Sequence, residues 1–188
     1  MTTGRTDATG PEQCSPEGNL PDAEAGDNGE YGGSESAKDT TPFGHLRKIF
    51  YRMGFDDEGI VALSGAHTFG RAYADRSGLG KEKTKFTDGS KQLLVDGSEA
   101  KYTPGGSSWT DNWLVFDNSY FSIMPDEDAD PELLKTSTDL TLFEDEGFKP
   151  FAEKFGKSQE AFFESYAKAH KKLSELGSKF EPEGGISL

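Results

Sequence analysis

The sequence has little that would support several large function classes. It has a single cysteine, Cys14, so an internal disulfide is excluded and a reducing compartment fits. Basic residues are outnumbered, 20 Lys and Arg against 34 Asp and Glu, and the net charge is -14. Nucleic-acid backbones and anionic lipid surfaces repel such a chain, so neither nucleic acid nor membrane is expected as a partner. No run approaches the roughly 18 apolar residues that a membrane span requires. The N-terminus has no apolar signal core and carries Asp7 and Glu12 early, so no targeting segment is expected in the chain. There are three histidines, His45, His67 and His170, none within ligand spacing of another or of Cys14, which argues against a zinc site. Neither a nucleophile-elbow Gly-x-Ser-x-Gly nor a phosphate-loop Gly-x-x-x-x-Gly-Lys occurs. No internal repeat is present.

Aromatic residues are plentiful: 14 Phe and 2 Trp are more than acidic disordered chains carry, so a packed core is expected. Residues 1–40 are rich in Gly, Ser, Thr, acidic residues and Pro, without sustained period. They read as an extended arm with turns at Gly10-Pro11 and Leu20-Pro21-Asp22, residues 26–40 being its most mobile part. From Thr41 the pattern becomes helical. Pro42 can open a helix with Leu46, Ile49, Phe50 and Met53 on one face, and Gly54 can end it. Asp56 or Asp57 can cap a second helix, on which Ile60, Leu63 and His67 fall on one stripe. Residues 77–108 are polar and glycine-rich and read as a long irregular insertion, in which Phe86 and Leu93-Leu94-Val95 could form a short hairpin. After the apolar segment from Trp109 to Phe121, helical spacing returns at Phe148, Phe151 and Phe155. It returns again from Phe162 to Leu176, with Gly177 as the stop. The fold class expected is mainly α, with 41–188 as one helical domain.

His45 and His170 read as exposed or capping residues. His67 has different neighbours: Gly65 and Ala66 precede it and Gly70 follows by three. Small side chains there suit the close approach of a flat group such as a haem bound through the imidazole. A hydrogen-bonded core histidine is the other reading that spacing leaves open.

Six ordered blocks narrow the choice. Ile60-Val61-Ala62-Leu63-Ser64-Gly65-Ala66-His67-Thr68, Arg76-Ser77-Gly78, Ser108-Trp109-Thr110, Phe116 to Phe121, Ser137-Thr138-Asp139 with Leu142 to Asp145, and Phe162 to Gly177 resemble the class I haem peroxidases. Within that class they are most similar to ascorbate peroxidase, over nearly the whole chain. The resemblance implies a haem peroxidase-like proximal domain with haem b on His67. It implies catalytic roles for Trp109 and Asp139, with Asp139 accepting from the other imidazole nitrogen and so raising the basicity of the iron ligand. Thr68, Thr110, Asn112 and Asp117 would bind a monovalent cation such as potassium, and Arg76 would meet ascorbate. The reaction implied is reduction of hydrogen peroxide by ascorbate. The long insertion resembles the chloroplast form, which suggests the stroma, with the cytoplasm as the other compartment.

The resemblance departs in one large respect. The family's distal Arg-x-x-aromatic-His block, which handles the proton and the developing charge as the O–O bond breaks, is absent. In addition, Tyr73 and Asn19 stand where the family tends to place basic groups. These departures imply a fragment, a chain completed by a distal-half polypeptide, or a non-catalytic haem-binding or interaction protein. A cytochrome c-type peroxidase is the other enzyme reading.

Overall fold

The structure, a computed structural model, describes residues 2–14, 41–77, 79–90, 92–93, 96–100 and 103–187. The turn expected at Leu20-Pro21-Asp22, the mobile segment 26–40, Asn19, Gly78 and the Leu94-Val95 part of the hairpin run lie outside the described residues.

Seven helices are described: α1 (Pro42–Tyr51), α2 (Asp57–Ser64), α3 (Ala74–Ser77), α4 (Tyr120–Ile123), α5 (Ser137–Glu144), α6 (Lys149–Lys157) and α7 (Gln159–Glu175). Their starts are written in local chemistry. Thr41, Asp56, Thr136 and Ser158 each place a side-chain oxygen on a backbone N–H of the first turn, which the helix itself leaves without a partner. Between α1 and α2 the chain reverses through Gly54 at φ +79°, a conformation that costs a side-chain-bearing residue about 1 kcal/mol.

α2 is the central helix. Ile60, Val61, Ala62 and Leu63 are all buried, because α1, α6 and α7 pack around it. Tyr120, Phe121, Phe148, Phe155 and Phe162 fill the space between α4, α6 and α7. Phe121, Phe155 and Phe162 meet at centroid distances of 5.1 to 5.9 Å, mostly edge-on, as ring quadrupoles prefer. Burial of these side chains stabilises the domain by about 2–3 kcal/mol each before entropy is counted.

Two short antiparallel strand pairs complete the described architecture. β1 (Thr2–Thr3) pairs with β4 (Ile186–Ser187), and the arm continues along the chain end through Thr6 N–H to the Lys179 carbonyl at 2.9 Å. The expected turn at Gly10-Pro11 is a 3-10 turn over Pro11–Gln13. β2 (Gln92–Leu93) pairs with β3 (Glu99–Ala100), so a hairpin does form in the insertion. Phe86 is not part of it; its carbonyl accepts instead from the Trp113 indole N–H at 3.0 Å.

The insertion is better anchored than its composition suggests. Thr84, Thr87 and Ser107 are buried, and Thr87 Oγ1 donates to the Gly106 carbonyl at 2.7 Å. Ala72 and Ser107 exchange two backbone hydrogen bonds of 2.8 Å, and the Arg71 guanidinium donates to the carbonyls of Thr103 and Gly105. Hydroxyls and backbone hold it together rather than apolar side chains, which is why hydropathy reads it as loop.

One histidine departs from expectation. His45 is 5% exposed, so it is a core residue and not an exposed cap. His170 is exposed on α7 beside the Tyr166 hydroxyl.

Candidate functional site

Asp139 sits in the first turn of α5, where it forms a capping box with Thr136: the Thr136 hydroxyl caps the Asp139 N–H, and the Asp139 carboxylate accepts from the Thr136 N–H at 2.9 Å. That exchange fixes the rotamer and leaves both carboxylate oxygens facing inward. Oδ2 accepts from the Trp109 indole N–H and the Thr136 hydroxyl, both at 2.8 Å. Oδ1 accepts from the Tyr120 hydroxyl at 2.7 Å and faces His67 Nδ1 at 2.8 Å. The sequence offers a helix cap and a functional acid as alternative roles for this residue, and the carboxylate that completes the cap is the one that faces His67.

Asp139 is 1% exposed. Burial pushes its carboxyl up, but the hydrogen bonds and charge interaction with His67, the Tyr120 hydroxyl and the Thr136 N–H outweigh burial and hold it below its ordinary value. An ionised carboxylate only accepts, so the shared proton sits on His67 Nδ1. In a neutral imidazole, Nε2 is then left with its lone pair, and no hydrogen bond among the described residues uses it.

His67 is delivered by the 3-10 turn Gly65–Thr68 that extends α2. Its ring stacks on Trp109 at 4.0 Å and 13°, and meets the Tyr120 ring edge-on at 6.0 Å. The side chain is 39% exposed, so it is not a sealed core histidine. Phe69 beside it is 52% exposed, and a Cβ on Gly70 would meet nothing within 4 Å. A coordinating nitrogen fixed in one tautomer, on an open surface with an apolar neighbour, fits a flat, largely apolar metal macrocycle such as haem. Two of the small residues around it have tasks that the sequence reading did not foresee. A Cβ on Gly65 would stand 2.5 Å from Phe162 and 2.8 Å from Phe121, so this glycine admits the aromatic core from behind. Gly70 is required by its φ of +94°.

Of the four residues expected at a cation site, three are linked. Thr68 Oγ1 donates to Asp117 at 3.0 Å, and Thr110 Oγ1 donates to the Thr68 carbonyl at 3.0 Å, both threonines being fully buried. Ser119, which sequence reasoning missed, joins them: its N–H donates to Asp117 at 2.9 Å and its hydroxyl is 3.4 Å from that of Thr68. Asn112 lies in the loop after Thr110, where its carbonyl accepts from Val115 N–H.

Arg76 is exposed on α3, its guanidinium 4.8 Å from the Tyr73 ring centroid. Arg71 approaches the same ring at 5.1 Å and stacks on Trp113 at 4.3 Å. Tyr73 therefore lies between two guanidinium groups and stands with cationic neighbours although it carries no charge. Elsewhere, a cavity of about 240 Å³ lined by Phe55, Glu58, Ser165, Lys168 and Lys172 shares no residue with the His67 cluster.

The family model described as peroxidase matches residues 1–158. The chain is 52% identical over its whole length to the probable L-ascorbate peroxidase 7, chloroplastic, of Oryza sativa subsp. japonica, and covers 45% of that protein. It is 51% identical, again over its whole length, to L-ascorbate peroxidase T, chloroplastic, of Arabidopsis thaliana, of which it covers 38%. Against L-ascorbate peroxidase 2, cytosolic, of Arabidopsis thaliana it is 38% identical over 93% of its length, covering 51%. The chain thus spans about half the length, or less, of the curated relatives it matches.

Proposed function

Because the chain belongs to the peroxidase family, we propose that it forms the proximal wall of a haem peroxidase that reduces hydrogen peroxide with ascorbate. The observation that carries this reading is the buried Asp139 carboxylate 2.8 Å from Nδ1 of the partly exposed His67. His67 would hold the iron of haem b through Nε2, and a hydrogen-bonded Nδ1 makes that nitrogen a stronger donor. Haem, when bound, supplies the electron chemistry by which peroxide is split and ascorbate oxidised. Trp109 keeps the imidazole plane aligned through its stack and is tied to the same carboxylate. Arg76 has no carboxylate partner among the described residues and offers its guanidinium to the oxygen-rich anion ascorbate. Thr68, Thr110, Asp117 and Ser119 supply hard oxygen donors that suit potassium, whose binding would brace the segment next to His67.

Among the described residues, neither His45, His170 nor Arg47 is placed to act as an acid–base pair on the other face of the haem. His45 is buried, His170 is bonded to Tyr166, and Arg47 is held by Asp57 and Asp145. Turnover therefore needs a distal segment supplied with or by another stretch of polypeptide. The higher identity to chloroplastic relatives supports the chloroplast as the location.

A haem titration of the purified chain tests the reading. A histidine-ligated spectrum is expected for the wild type and not for His67→Ala, with ascorbate oxidation near that of free haem until a polypeptide carrying a distal Arg and His is added. Equal spectra for the two chains would remove His67 from its role.

A further inference from the structure

The His67–Asp139 hydrogen bond does not have its carboxylate oxygen to itself. Tyr120 opens α4, a segment separate from both partners, and is fully buried. Its hydroxyl reaches Asp139 Oδ1 at 2.7 Å, the same oxygen that faces His67 Nδ1 at 2.8 Å. Trp109 and Thr136 act on the other oxygen, Oδ2. The two sets of donors are therefore not equivalent. Those on Oδ2 fix where the carboxylate lies, whereas the Tyr120 hydroxyl competes with His67 for one acceptor atom.

We propose that Tyr120 is a positioning residue that tunes the ligand strength of His67, by drawing charge from the Asp139 oxygen that holds the imidazole proton. A second donor on one oxygen leaves less charge for the first, so the Nδ1 proton stays closer to its nitrogen and His67 takes on less imidazolate character. A less basic ligand favours the reduced iron, so Tyr120 raises the reduction potential of a haem bound there. This deepens the proposed function and rests on His67 as the iron ligand. The competition for Oδ1, however, exists in the haem-free protein and is measured there.

The bland account is that Asp139 merely satisfies a buried hydroxyl. It predicts a loss of stability from Tyr120→Phe with no effect on the imidazole. The test is the His67 Nδ1 proton and nitrogen resonances of the haem-free 188-residue chain. In Tyr120→Phe the proton is expected to move downfield, as its bond to Oδ1 strengthens. Incorporation of 3-fluorotyrosine at position 120, a stronger donor in nearly the same volume, is expected to move it upfield. The haem complex of Tyr120→Phe is expected to show a more negative reduction potential than wild type. Resonances that stay in place in both variants, with stability alone reduced, overturn the proposal. A shift in the haem-free resonances without histidine ligation of haem leaves the competition standing and instead removes the assignment of His67 as ligand.

Discussion

Two residues in this molecule each gather three or more segments by hydrogen bonds, and they do it in opposite ways. Asp139 is a buried anion surrounded by neutral donors from Trp109, Tyr120 and Thr136, with His67 on the open side. Arg47 is a cation near the surface between two carboxylates. It donates from Nε and Nη2 to Asp57 and from Nη1 and Nη2 to Asp145, and its guanidinium covers the Phe148 ring at 4.2 Å. Arg47 joins α1 to the start of α2 and to the turn between α5 and α6. Each of its guanidinium nitrogens donates to a carboxylate of the protein. At Asp139 the network ends on His67, whose Nε2 no hydrogen bond among the described residues uses. A complete circuit fits architecture, and a circuit with one open terminal fits the site proposed above.

The largest effect should come from deleting the acceptor. Asp139→Ala takes this acceptor from the Trp109 indole N–H, the Tyr120 hydroxyl and the Thr136 N–H at a position that is 1% exposed. At about 1–3 kcal/mol for each stranded donor, with some relaxation, we expect a loss of about 4 kcal/mol in urea unfolding of the haem-free chain. A loss below about 1 kcal/mol would mean that the cluster is not a cooperative unit. Asp139→Asn keeps the volume but places an amide donor among donors, and should recover only a part.

Arg47→Ala should cost less, about 2 kcal/mol. Arg47, Asp57 and Asp145 keep 24%, 19% and 13% of their side-chain surfaces exposed, so water can replace part of what is lost. If it proves more damaging than Asp139→Ala, the ranking drawn from burial is wrong. The pH dependence sharpens the contrast. The bonds from Arg47 hold the Asp145 carboxyl below its ordinary value, and at Asp57 they and the Tyr51 hydroxyl overcome a burial that pushes upward. A depressed folded-state pKa contributes stability that is present above the unfolded value of 3.8 and is lost as pH falls from there through the lower folded-state value. The penalty of Arg47→Ala should therefore be full at pH 7 and shrink below about pH 4, which paired unfolding curves at the two pH values would show.

What was legible in the sequence follows the same division. His67, Trp109 and Asp139 are readable because each lies in a block with its own pattern, and the structure brings all three together. The helix starts at Pro42 and Asp57 are readable because capping is local. Tyr120 looks like one more core aromatic, since only the fold brings its hydroxyl to a carboxylate 19 positions later. Gly65 looks like clearance in front of the histidine, but the atoms that require it, on Phe121 and Phe162, come from distant parts of the chain. His45 looks like a polar residue near a helix start, and its burial is decided by tertiary packing, which no local pattern announces. Arg47 carries no signal, because Asp57 and Asp145 are 10 and 98 residues away.

The smallest effect asks whether the Arg47 circuit is as closed as its geometry implies. Gly147 lies where a Cβ would stand 2.4 Å from Asp57 Oδ2, 2.5 Å from Arg47 Nη2 and 3.2 Å from Asp145 Oδ1. Those are ends of side chains rather than backbone, so Gly147→Ala can be accommodated if the clamp loosens, at a cost of about 1 kcal/mol. If the clamp is what the methyl group meets, the cost should nearly vanish once Arg47 is already Ala, because the guanidinium is gone and Asp57 Oδ2, the nearest atom, has lost the donor that held it. A double-mutant cycle over Gly147→Ala and Arg47→Ala is then expected to give a coupling energy close to the whole cost of the glycine replacement. A coupling near zero would mean that Gly147 serves the turn between α5 and α6 for its own sake, and that the tight contact with Arg47 is incidental to it.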